Sequence, residues 1–147
     1  MMIPVRRRCV LATISFIAAS VILRPLIADA LCIRGDEFLR GGDPRTAAHY
    51  YRLALAGDAN CGTAAERFAF AALEIHTRAV LESAIRAADA YLRVHDDEAI
   101  RIDRALALWD VNDFARATIE LRALGAATHD ERYTRLAQIA ARRRMRR

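Results

Sequence analysis

Small and large apolar residues recur along most of the chain at separations of three and four, the spacing of one face of an α-helix. Gly35, Phe38, Ala47, Tyr51 and Ala54 follow this rhythm, with Gly42 and Asp43 as a turn between the two halves. The same spacing returns seventy residues later as Ala105, Leu108, Ala117, Leu121 and Leu124, with Asn112 and Asp113 in the turn. Between these copies, a shift of 34 residues finds Ala69, Ala72, Leu81, Ile85 and Ala88, but no Gly or Pro marks a turn. The pattern predicts successive helical hairpins over about 28–61, 62–97 and 98–131. Asp43 is placed to cap the second helix of the first pair, with Pro44 at its first position, and Asp113 repeats that role before Phe114. Gly57 is expected to end that second helix with a positive φ. A closing helix over 130–144 follows, with Asp130 as its cap and Tyr133, Leu136, Ala137 and Ala140 as its single apolar stripe.

Composition agrees with helices. Alanine, the best helix former, fills roughly a fifth of the 147 positions, aromatic residues make up 7%, and there are 6 glycines and 3 prolines. A collagen-like, disordered or disulfide-dense chain is excluded on the same grounds.

Two segments carry a closer likeness. The stretch GDEFLRGGDPRTAAHYYRLALAGD has a Gly and an aromatic residue three apart, a Gly-Asp turn, and an Ala, aromatic, Ala run in its second helix. ALALWDVNDFARATIELRAL keeps an Asn-Asp-aromatic turn and a small residue opening the second helix. Together they resemble the tetratricopeptide repeat, a 34-residue pair of antiparallel helices, over about residues 28–131. The family's opening Trp is Leu31 here, and its closing Pro is replaced by Ala59, Arg93 and His129. The resemblance implies an all-α, right-handed α-hairpin solenoid of about three helix pairs and a C-terminal capping helix, within a domain spanning 31–147. It also implies a concave groove that takes a peptide or helix. The groove-facing places are Asp36, Leu39 and Arg40 in the first copy, Glu66, Phe70, Leu73 and Glu74 in the second, and Ile102, Leu106, Trp109 and Asp110 in the third. For Trp109 the alternative is packing beneath the terminal helix.

Residues 1–30 read differently from the rest. Arg6, Arg7 and Arg8 precede the uncharged run Cys9 to Leu23, and Ala28-Asp29-Ala30 follows as a small-x-small site. This is the layout of a secretory signal peptide, with cleavage expected near Ala30 and a periplasmic destination in a bacterium. The alternative is an uncleaved inner-membrane anchor formed by residues 9–23, although fifteen helical residues reach only about 22 Å. Cleavage would leave Cys32 and Cys61, an even number of cysteines in an oxidising compartment. They stand at the openings of two neighbouring pairs, so stacking permits either a disulfide or two buried free thiols.

All 23 basic residues are Arg, and the formal net charge is +5. The excess sits at the two ends. Residues 31–141 hold 14 Arg against 17 acids, a net of −3. A nucleic-acid footprint, which needs a basic face on the folded body, is therefore not expected. The terminal RRRMRR is expected to be a solvated helix end, with contact to anionic lipid as the second reading.

Chemistry is sparse. His49, His76, His95 and His129 are scattered, with neither metal spacing nor coupling to a nucleophile and an acid. Asp96, Asp97 and Glu98 read as an acidic first helical turn. No phosphate-binding loop or nucleophile elbow appears. The expectation is a protein that is not an enzyme, needs no metal or cofactor and takes no small-molecule substrate. It would act as an adaptor or assembly factor of the bacterial envelope, or alternatively as a membrane-anchored structural subunit of a larger complex.

Overall fold

The computed structural model describes the backbone of residues 5–145 and the side chains of residues 23–145. Seven helices follow one another: α1 (Val5–Arg40), α2 (Pro44–Gly57), α3 (Gly62–Ile75), α4 (Arg78–Tyr91), α5 (Glu98–Asp110), α6 (Phe114–Thr128) and α7 (Glu131–Met145). No strand occurs among the described residues. Each helix packs on the next, and α3 also lies against both α1 and α5. The architecture is all-α, a run of successive helical hairpins compatible with a solenoid.

The turns explain how the hairpins repeat. At the end of α1, Gly42 takes φ 81° while the Gly42 and Asp43 N–H groups donate to the Leu39 and Phe38 carbonyls at 3.1 and 2.9 Å. At the end of α5, Asn112 takes φ 65°, and the Asn112 and Asp113 N–H groups donate to Trp109 and Leu108 at 2.9 Å each. These are matching left-handed helix ends, seventy residues apart. Asp43 then accepts the Thr46 N–H at 3.1 Å and Asp113 the Arg116 N–H at 3.2 Å, which caps α2 and α6 as the sequence suggests. The middle hairpin turns through His76, at φ 52°. Its turn was invisible in the sequence because the left-handed place, 34 residues after Gly42, is filled by neither Gly nor Asn. Gly57 does end α2, but without positive φ: Gly42 is the positive-φ glycine among the described residues, and Asp58 follows Gly57 in an extended conformation.

A core rich in alanine runs through all three hairpins, from Ala28, Ala47 and Tyr51 through Phe68, Ala72 and Leu81 to Ala107, Leu108 and Ala117. Small side chains bring the helix axes close, and single large ones fill the remaining space. Tyr51 is the largest of the fully buried residues; its hydroxyl donates to Asp36 Oδ1 at 2.6 Å. A second cluster, Ala105, Leu121, Leu124 and Ala137 with Trp109 and Tyr133, seats α7 on the last hairpin.

Two expectations are corrected. Cys32 and Cys61 are both free thiols, so the disulfide does not form. The two approach closely: burial, with Cys61 beside it, pushes the Cys32 thiol up to about 12. The membrane reading is corrected as well, since no helix among the described residues is long and apolar enough to cross a bilayer. The second half of α1 carries Arg24, Asp29, Arg34, Asp36 and Glu37, and each charge would be expensive in hydrocarbon. Residues 9–22 of the proposed anchor lie outside the residues whose side chains are described. The Ala28-Asp29-Ala30 site falls within α1, which runs unbroken through Pro25, and Ala28 is 1% exposed in the core.

Candidate partner-binding face

Helices α1, α3 and α5 present one continuous face, and their polar contacts fix its register. Arg67 Nε on α3 approaches Asp36 Oδ1 on α1 at 3.8 Å. His76 Nδ1, just beyond α3, meets Asp110 Oδ2 on α5 at 3.1 Å. Glu66 near the start of α3 is close enough to Asp103 on α5 to raise its carboxyl. With Glu66 beside Asp103 and His76 beside Asp110, α3 and α5 run parallel. Phe70, one turn after Glu66, therefore comes level with Leu106.

Both of these side chains are open, 46% and 42% exposed, and Ile33 on α1 is exposed as well. Arg40, Glu66 and Glu74 are also exposed, and Asp110 is exposed beside His76. Arg40 turns back along its own helix, Nε donating to the Asp36 carbonyl at 3.2 Å. Asp36 is half-buried and held from two sides by Tyr51 and Arg67. The remaining sequence-derived groove residues are turned inward. Leu39 and Leu73 pack against the main core, and Ile102 packs into the cluster beneath α7. Trp109 joins that same cluster. Its ring meets Phe114 edge-on at 5.7 Å, and the Arg143 guanidinium of α7 lies 5.1 Å from its centroid.

Carboxylates outnumber cations on this face, where Arg40 and Arg67 are the arginines. Asp103 is pushed up to about 6 by burial, with the Glu66 and Asp97 carboxylates adding to the effect. Asp97 caps α5, accepting the Ile100 N–H at 3.2 Å, so its charge is fixed in place. Among the described residues, no group of His, Cys, Asp or Glu is arranged to hold a metal ion. Sequence spacing did not reveal Arg67, His76 or Asp103 as part of this face. Arg67 and Asp103 stand next to assigned groove positions, Glu66 and Ile102, but only helix contact shows which neighbour each meets.

The opposite edge carries a different arrangement. Arg101 Nε donates to Glu120 Oε1 at 2.8 Å, Arg104 bonds the other Glu120 oxygen, and Arg104 reaches Asp89 Oδ1 at 2.8 Å. Arg116 closes the chain on Asp89 Oδ2 at 2.7 Å. This network ties α4, α5 and α6 together. Its positive groups already have carboxylate partners, so it reads as architecture.

Comparison of the chain with protein-family models, with curated proteins and with solved structures returns no match.

Proposed function

We propose that this protein is a non-enzymatic adaptor or assembly factor of the bacterial envelope, and that its hairpins are tetratricopeptide repeats. The family reading draws support from the left-handed turns inside the three hairpins, at Gly42, His76 and Asn112, which recur at intervals of 34 and 36 residues; a fourth, His129, precedes α7. The groove reading rests on one observation above others. Phe70 and Leu106 are both exposed, and the register of α3 and α5 brings them level, with Glu66, Glu74 and Asp103 on the same two helices. The occupant that suits this surface is a basic amphipathic segment of a partner protein, its apolar residues on Phe70 and Leu106 and its cations on the acids. The bacterial envelope is inferred from the Arg6–Arg8 flank and the apolar run behind it.

Affinity capture from envelope extracts tests the reading. Phe70→Ala with Leu106→Ala should release the captured partner while circular dichroism stays helical. Capture that survives both substitutions overturns it. Recovery of the protein from the periplasmic fraction is expected, and its confinement to the cytosol would overturn the envelope assignment.

A further inference from the structure

A cleft of about 460 Å³ lies between α2 and α4, away from the partner-binding face. Its size falls within the roughly 300–1,000 Å³ of small-ligand sites. One wall is a single stripe of α2, in which Arg45, His49 and Arg52 stand one turn apart around buried Ala48. The floor is apolar, made by the buried Phe68 ring and by Ile75. The other wall is the beginning of α4, with Ala79, Val80 and the hydroxyls of Thr77 and Ser83.

Three features set this cleft apart. No acid is among its lining residues. Eight of the fourteen arginines of residues 31–141 pair with carboxylates; Arg45, which feels the neighbouring Asp43 carboxylate, and Arg52 are among the six that form no ion pair among the described residues, and they stand on one wall of this cleft. The first turn of α4 also opens into it without a side-chain cap, because Thr77 forms no capping bond. The Val80 and Leu81 N–H groups are already bonded to the Thr77 carbonyl, so this end of α4 contributes the positive end of its helix dipole beside the two guanidinium groups.

The geometry points to a binding site for a single-chain carboxylate amphiphile, such as a medium-chain fatty acid. Its head would lie against Arg45, Arg52 and the α4 N-terminus, with its chain over Phe68, Ile75 and Val80. A guanidinium fork matches a carboxylate with two parallel hydrogen bonds, and the aliphatic floor shields hydrocarbon from water.

Isothermal titration of the full-length protein with decanoate, kept below its micelle concentration, tests the site. Decanoate should bind one to one, at least tenfold tighter than decyl maltoside or decyltrimethylammonium. Arg45→Ala with Arg52→Ala should lower decanoate affinity at least tenfold without loss of helical circular dichroism, and Ala79→Trp should block the cleft by bulk. Arg86→Ala, outside the cleft, should change nothing. Equal binding of the cationic amphiphile, or decanoate affinity retained in the double variant, would overturn the proposal. Decyl phosphate binding more than tenfold tighter than decanoate would overturn the carboxylate assignment.

Discussion

Gly35 offers a sharp test of how the first hairpin is packed. It sits in α1 directly against Tyr51 of α2, and a methyl group added there would lie 2.5 Å from Tyr51 Cε1 and 2.9 Å from Cδ1 and Cζ. Comfortable carbon–carbon contact begins near 3.5 Å, so the overlap is about 1 Å. The ring has nowhere to retreat. Tyr51 is fully buried, and its hydroxyl is tied to Asp36, the residue next to Gly35. Helix propensity alone favours Ala over Gly by about 1 kcal/mol. Against that stand about 1–3 kcal/mol for overpacking and, if the ring tilts, part of the ~1.5–3 kcal/mol of a hydrogen bond to a charged group. The balance predicts that Gly35→Ala destabilises by about 2 kcal/mol. Gly57→Ala is the control, because nothing lies within 4 Å of its added carbon and its φ is not positive. It should be neutral or stabilising by up to ~1 kcal/mol. Urea unfolding followed by circular dichroism at 222 nm measures both. In a Tyr51→Leu background the clash disappears, and Gly35→Ala should become neutral or stabilising. If Gly35→Ala matches Gly57→Ala in the wild-type background, close approach of α1 to Tyr51 is refuted.

Three further outcomes follow from the same contacts. The Asp103 carboxyl is raised in the folded state, so the strain of its ionisation is absent below the unfolded carboxylate range and grows as pH rises through about 6. Asp103→Asn should therefore be the more stable protein at pH 8, by on the order of 1 kcal/mol after allowance for solvent screening, with the gap closing near pH 4 in parallel melts. Glu120→Ala would strip Arg101 and Arg104 of their shared partner in a mostly buried setting; chemical denaturation should show a loss of about 3 kcal/mol, and a loss under 1 would mean that the network is solvated. Under native conditions a thiol reagent should modify half-buried Cys61 well before Cys32, whose labelling should wait for unfolding; equal rates would contradict the burial of Cys32.

Helix pairing was legible in the residues themselves. Gly42-Asp43-Pro44 and Asn112-Asp113 announce their turns because left-handed backbone, side-chain capping and proline's fixed φ are local properties that need no distant neighbour. The three- and four-residue spacing of Ala47, Tyr51 and Ala54 likewise identifies the buried side of α2 without reference to what covers it. His76 escaped notice because a residue with a Cβ enters the left-handed region only where the surrounding fold holds it there.

Which half of an amphipathic helix meets which neighbour is a different matter, settled through space. Trp109 and Phe70 were both assigned to the groove, yet Trp109 is roofed by Arg143 of α7 while Phe70 stands open. The raised carboxyl of Asp103 depends on Glu66, thirty-seven positions earlier, and two thiols well spaced in sequence come close only after α1 and α3 have packed. Local chemistry thus marked the turns of the first and last hairpins and the buried sides of their helices. Packing alone decided which apolar residues remain exposed, which charges go unanswered and where a ligand has room to enter, since each of these turns on the atoms a folded neighbour brings near.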